Sequence, residues 1–212
     1  MEQAAIYELL TETFGDAVEA WHETAPEPFA LVKADKIFEV AKFLREDPRL
    51  TFETCMCLSG IDWAGFDEKG KGKSVAVLGY NQDGTPETSD YVAEGDLGVA
   101  YNLYSHLHGH EFNLQVRIPR EGAAVPSVSS LWPTAAWHER EAFDLVGIQF
   151  SGHPDLRRIL LEDHWEGHPL RKDYRMPSQW DSVPLEGKPY SKNPHPKPEV
   201  PAPSGTDESS EG

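Results

Sequence analysis

The segment from Pro133 to Leu161 constrains the fold most, because it sets side chains of both charges inside an apolar framework. Proline is tolerated in the first turn of a helix, where its missing N–H has no partner to lose, and glycine closes helices in the left-handed conformation. Pro133 and Gly147 therefore bound a predicted helix over Pro133–Val146. At about 100° per residue, Ala135, Ala142, Leu145 and Val146 fall on one side, flanked by Ala136 and Phe143, while Trp137, Arg140, Glu141 and Asp144 fall on the other. Glu139 breaks the pattern by landing inside the apolar arc. A buried carboxylate without a partner is costly, so Glu139 is expected to be protonated or held by a cation, and Arg157 and Arg158 are the nearest cations beyond the helix.

The opposite face reads as outward. Arg140 and Asp144 stand four apart in the less favoured order, a pair worth only tenths of a kcal/mol. Trp137 amid charge is more telling, since aromatic side chains ringed by polar groups are common anchors of protein interfaces. Charge is also unevenly placed. The chain carries −17 overall, yet between His153 and Arg175 the acids Asp155, Glu162, Asp163, Glu166 and Asp173 are balanced by Arg157, Arg158, Arg171, Lys172 and Arg175. A neutral, mixed segment on an acidic protein reads as a contact surface or as a self-contained ion-pair network; the two look alike in sequence.

Upstream, Ile6, Leu9, Leu10 and Phe14 predict a helix over Ala4–Phe14, and Ile37, Val40, Ala41 and Leu44 a second over Asp35–Glu46, ended by Pro48. Strands are predicted at Phe29–Val32, Phe52–Leu58, Ser74–Tyr80, Val99–His106 and Phe112–Ile118, with polar insertions at Gly65–Lys73 and Asn81–Gly95. Helices mixed with a run of strands, not regularly alternating, predict a two-layer α+β domain over residues 1–175. Beyond it, eight of the seventeen prolines crowd into residues 176–212. Such a tail builds no core of its own. Trp180, Val183, Leu185 and Tyr190 suit an extended segment lying along a neighbouring protein, with disorder expected towards the end.

The residues for independent chemistry are sparse. His106, His108 and His110 alternate and would share a strand face, where they could bind a metal in a stand-alone metal-dependent enzyme. Gly109 interrupts them and marks a turn. His164 and His168 stand beside Gly167 and Pro169, which disfavour a helix. Cys55 and Cys57 are placed on one face of a strand as small buried apolar groups. Two cysteines cannot hold an iron–sulfur cluster, which needs about four ligands. No glycine-rich phosphate loop opens a helix, so neither nicotinamide nor flavin is expected to bind this chain. The acidic balance argues against nucleic acid or direct adsorption to anionic lipid, and no apolar run reaches the about 18 residues of a membrane span.

The run Glu139-Arg140-Glu141-Ala142-Phe143-Asp144-Leu145-Val146-Gly147-Ile148-Gln149-Phe150-Ser151-Gly152-His153-Pro154-Asp155-Leu156-Arg157-Arg158-Ile159-Leu160-Leu161, followed by Trp165-Glu166-Gly167-His168-Pro169-Leu170-Arg171-Lys172-Asp173-Tyr174, resembles the 30 kDa subunit of respiratory complex I, NADH:quinone oxidoreductase. The likeness extends to Ser127-Val128, Leu131-Trp132-Pro133 and, more loosely, Leu103-Tyr104-Ser105 and the Ile61-Asp62-Trp63 corner. Val146 stands where members carry an aromatic residue, and Glu162 where they carry proline.

The resemblance implies a mixed β-sheet with helices and a non-catalytic scaffold role. It implies no metal and no cofactor in this chain: FMN and iron–sulfur clusters sit in partner subunits of a complex that uses NADH and quinone. The implied partners are the subunit that lines the quinone pocket and the neighbouring subunits of the peripheral arm, on the cytoplasmic side of the bacterial inner membrane, which is met only through the complex. Related subunits occur in membrane-bound hydrogenases, deazaflavin-coenzyme dehydrogenases and the plastoquinone-linked complex. The expected ion-paired hub is Glu139, Arg140, Glu141 and Asp144 with Arg157 and Arg158, around Trp137, Gly147 and Asp155. Arg171, Lys172, Asp173 and Tyr174 are expected to lead into the docking tail.

Overall fold

The computed structural model describes residues 1–23, 25–64, 95–122 and 124–174, with the backbone of 179–180 and 183–184. The chain divides into two compact units. The described residues through Tyr174 belong to the larger. Of the smaller, only a short antiparallel pairing is described, Gln179 opposite Pro184 and Trp180 opposite Val183. The expected strand Ser74–Tyr80, nearly all of the two polar insertions and the remainder of the tail lie outside the described residues.

The larger unit is α+β. Its helices are α1 (Gln3–Phe14), α2 (Ile37–Glu46) and α3 (Ala135–Val146). Its strands are β1 (Val18–His22), β2 (Phe29–Val32), β3 (Thr54–Asp62), β4 (Leu97–Ser105), β5 (His110–Ile118), β6 (Ala124–Pro126) and β7 (Gln149–Ser151). Five form one mixed sheet in the order β1-β2-β5-β4-β3, in which β2 and β5 run parallel and the other neighbours antiparallel. β6 and β7, which flank α3 in sequence, pair in parallel.

Period-two alternation explains the sheet. Leu97, Val99, Tyr101 and Leu103 of β4 and Phe112, Leu114, Val116 and Ile118 of β5 are buried, while Ala100, Asn102, Asn113 and Gln115 between them are half-exposed. The inward set shares one core with Ile6 and Leu10 of α1, Ile37, Val40, Ala41 and Leu44 of α2, and Ala135, Ala142 and Val146 of α3. On the outer face Asn102 donates to Asn113 across β4 and β5 at 2.8 Å. A turn with Gly109 at φ +63° joins these strands, so the histidines do not share one strand face. Their ring nitrogens lie against different groups: His106 Nε2 by Thr54 Oγ1, His108 Nε2 by the Pro48 carbonyl and His110 Nε2 by the Leu50 carbonyl.

β3 corrects the placement of the two cysteines. A bulge between Cys55 and Cys57 shifts the register against β4, so Cys55 opposes Leu103 and Cys57 opposes Asn102. One extra residue reverses the faces of a strand with period two. Cys55 points into the core, where burial pushes its thiol up to about 12, and Cys57 joins the outer face beside Ser59. Cys55 is thus a protonated, inert apolar group.

Candidate interaction site

Pro133 opens the helical chain as a tight turn: Ala135, Ala136 and Trp137 donate to the carbonyls of Trp132, Pro133 and Thr134, each three residues back, as α3 begins at Ala135. α3 packs closely on β3 because Gly60 has no side chain; a Cβ there would lie 3.1–3.2 Å from Val146, Ala142 and Ile148. Gly147 closes the helix at φ +79°, and a Cβ at that position would meet His168 and Arg171 at 2.5–2.6 Å. Glycine is required there twice, for its left-handed backbone and for the close approach of both side chains.

Glu139 is fully buried, as its place in the apolar arc predicts. The expected cation does not reach it. Its carboxylate accepts the Val128 N–H at 2.7 Å and the Ser127 hydroxyl at 2.6 Å, and Arg157 and Arg158 are engaged elsewhere. His153 Nε2 stands 3.9 Å away. That ring sets Nε2 3.0 Å from the Ala136 carbonyl and accepts the Asp155 N–H on Nδ1 at 3.0 Å. Burial raises the Glu139 carboxyl above its ordinary range, against the opposing pull of Ser127, Val128 and His153.

The outer face differs from the expectation more. Trp137 is 62% exposed and Glu141 is exposed, but Arg140 and Asp144 are buried. The covering layer is the chain after β7, residues 155–174, a strap folded over the C-terminal half of α3. Asp144 holds it. One carboxylate oxygen accepts the N–H groups of Ile159, Leu160 and Leu161 at 2.8–3.0 Å, and the other accepts Arg158 Nη1 at 2.7 Å. Burial pushes the Asp144 carboxyl up, and the three amides with Arg158 outweigh it, so the group titrates below the usual carboxylate range. Arg140 spans the carbonyls of Arg157 and Arg158 at 3.2 and 3.0 Å and lies over the Trp137 ring at 5.2 Å. The expected Arg140–Asp144 pair is therefore replaced by two separate grips on the strap.

The strap also caps the helix. An α-helix leaves its last four carbonyls without internal partners. Here His168 Nδ1–H donates to Asp144, the Leu170 N–H to Leu145, Arg171 Nε to Val146 and Arg171 Nη2 to Gly147. Arg158 and Arg171 bring positive charge to the negative end of the helix dipole. Arg158 additionally donates to the carbonyls of Trp165 and Gly167, and Trp165 Nε1 to the Tyr174 hydroxyl at 3.1 Å. Asp155 and Arg157 pair with each other at the surface.

A second anchor centres on Asp62 and Arg120, which the expected hub leaves out, and draws in Lys172 and Asp173. Buried Asp62, at the end of β3, accepts the Lys172 N–H at 2.8 Å and the Ala64 N–H at 2.9 Å, and pairs with Arg120. Arg120 also reaches Asp173 at 3.4 Å. Burial pushes Asp62 up, and its bonds to Arg120, Lys172 and Ala64 bring it below the ordinary range. Ser127, His153 and Asp62 lie in or beside stretches that carry the family resemblance; Arg120 has no such signal.

Held between these anchors, the strap and α3 present Trp137, Leu160 and Leu170 to solvent, with Leu160 and Leu170 63% and 59% exposed. No cluster of three or more His, Cys, Asp or Glu side chains suited to a metal ion occurs among the described residues. No helix among them is long and apolar enough to cross a membrane.

Residues 30–180 match the model of the family described as the respiratory-chain NADH dehydrogenase 30 Kd subunit. The chain is 39% identical over 181 residues to the NADH-quinone oxidoreductase C subunit of Chlorobium phaeobacteroides, covering 84% of this chain and 92% of that protein. It is 37% identical to the same subunit in Chloroherpeton thalassium, where the match covers 84% of this chain and 62% of the relative's length. In fold it is similar to a chain of an archaeal membrane-bound sulfane sulfur reductase, with a TM-score of 0.55 at 21% identity over 82% of this chain and 85% of that one. The charged helix, its strap and strands β3, β4 and β5 lie within the matched region, and the chain belongs to the respiratory-chain NADH dehydrogenase 30 kDa subunit family.

Proposed function

We propose that this chain is a non-catalytic peripheral-arm subunit of a proton-translocating NADH:quinone oxidoreductase, bracing the quinone-pocket subunit and the module that holds the last iron–sulfur cluster. The observation that carries the reading is the use of charge around α3. Asp144, Arg140, Arg158 and Arg171 face the chain's own backbone, so their chemistry is spent on fixing a surface. That surface offers one aromatic and two aliphatic side chains, the composition of an interface core. FMN, the clusters, NADH and quinone belong in this reading to partner subunits. The chain lies on the cytoplasmic side of the inner membrane, reaching it through the complex, and the tail after residue 175 runs along a neighbour.

The test is to tag the chain in its host, solubilise the membranes and purify under mild detergent. Flavin, iron–sulfur absorbance and NADH:quinone activity are expected to co-purify with the tag. Trp137→Ala with Leu160→Ser should weaken that association while the chain itself stays folded. Recovery of the tagged chain alone from wild-type membranes, or of hydrogenase activity in place of NADH oxidation, would overturn the reading.

A further inference from the structure

Two cavities adjoin the C-terminal end of α3, of about 380 and 330 Å³, and His168 and Arg171 line both. The larger also has Arg120, Glu121, Gly147 and Gln149 in its wall, the smaller Glu166 and Asp173. Arg171 differs from the arginines around it. Arg120 faces Asp62 and Asp173, Arg157 faces Asp155, and Arg158 faces Asp144. Among the described residues Arg171 has no carboxylate within ion-pair distance, and its guanidinium donates to the carbonyls of Val146 and Gly147. Glu166 and Asp173 share the smaller cavity without closing on it.

Geometry then limits what could complete the site. The short bond from Nε to Val146 fixes the guanidinium plane, and the 3.4 Å approach of Nη2 to Gly147 leaves the outer Nη edge available. His168, with Nδ1–H committed to the Asp144 carbonyl, turns the other side of its ring towards Gly147. The exposed Gln149 amide adds a neutral donor on the same wall. A planar two-oxygen anion matches a guanidinium edge in a way that a single-point acceptor does not. We propose that the larger cavity receives a carboxylate side chain from an adjoining subunit, held in two-point fashion on the outer edge of Arg171 with Gln149 beside it. The proposal rests on the assembly role proposed above and adds the chemistry of one contact.

Zero-length carbodiimide coupling on the purified complex tests it, because it joins an amine to a carboxyl in direct contact and leaves arginine untouched. Two variants each place an amine in the cavity: Arg171→Lys, and Gln149→Lys, which leaves the cap of α3 intact. Mass spectrometry is expected to find a new amide between the substituted position and an Asp or Glu of another subunit, and the wild type should lack it. Arg171→Gln should release the chain from the complex at several-fold lower salt than the wild type. Coupling only to Glu121, Glu166 or Asp173 of the same chain, or no new amide in either lysine variant while the complex stays assembled, overturns the receptor and leaves the assembly role standing. Failure of the wild-type chain to co-purify with any partner overturns both.

Discussion

Glu139 gives the sharpest prediction, because its two conceivable states respond oppositely to pH. It is fully buried with two donors on its oxygens, and neither Arg157 nor Arg158 reaches it. Truncation by Glu139→Ala strands the Val128 N–H, leaves the Ser127 hydroxyl only Ser129 Oγ at 2.7 Å, and opens a cavity in the core. A buried donor left unsatisfied costs about 1–3 kcal/mol, so the variant should lose about 2–5 kcal/mol. Glu139→Gln keeps the shape and one accepting oxygen, and should lose about 1 kcal/mol at low pH, the net worth of an ordinary hydrogen bond. The folded-state pKa of Glu139 is raised by burial. A raised acid binds its proton more tightly when folded, so its contribution is fully present below the unfolded value and is lost as pH rises through the folded value. Glutamine is neutral throughout. Urea titrations of the wild type and Glu139→Gln across that window should therefore show the wild type losing ground to the variant as pH increases. If the wild type instead gains on the glutamine variant, the carboxylate is held charged by a cation and the reasoning is wrong.

Asp144 should behave in the opposite sense: its folded pKa is lowered, so its contribution is present above the unfolded value and fades as pH falls through the folded one. Asp144→Asn, which breaks the ion pair with Arg158, should cost about 3–5 kcal/mol and speed hydrogen exchange at the amides of Ile159, Leu160 and Leu161; unchanged exchange there would show that another contact holds the strap. Gly147→Ala forces a Cβ to 2.5 Å from His168 at φ +79°, and should lower stability by about 1–3 kcal/mol in thermal melts. Removing residues 176–212 should leave the melting temperature of the remaining chain nearly unchanged and reduce co-purification with the quinone-pocket subunit; undiminished co-purification would refute the docking tail.

The parts of the fold visible in the sequence are those in which one local pattern decides the outcome. β4 and β5 alternate over nine residues each, and α2 repeats its apolar positions at helical spacing before Pro48. β1, β6 and β7 span three to five residues, too few for a period to declare itself, and sequence patterning does not predict them. Spacing alone sets Cys55 and Cys57 on one face, because a bulge has no signature in the pattern it interrupts. Helical angle places Glu139 correctly, but it points to charges as partners, where a hydroxyl and an amide supply the bonds. The Asp62–Arg120–Asp173 group joins positions 58 and 53 residues apart, which no local pattern reaches.

The misplacement of Arg140 and Asp144 has a different origin and bears on function. Periodicity separates the two faces of a helix and is silent about whether the polar one is covered. Here it is covered by backbone: Asp144 takes three consecutive amides, and Arg140 takes two consecutive carbonyls, so charged side chains satisfy a segment without regular secondary structure that would otherwise need water for those groups. The neutral composition of residues 153–175 follows from the same arrangement, since the strap supplies Arg158 to Asp144 of α3, Arg171 to the negative end of the helix and the Lys172 amide to Asp62 of β3. In the proposed docking role the consequence is energetic. Ordering a loop at an interface subtracts from affinity, and a strap already fixed by Asp144 at one end and Asp62 at the other removes that loss before a partner arrives. Buried charges that touch no partner would then govern assembly as strongly as the exposed Trp137, Leu160 and Leu170 that do.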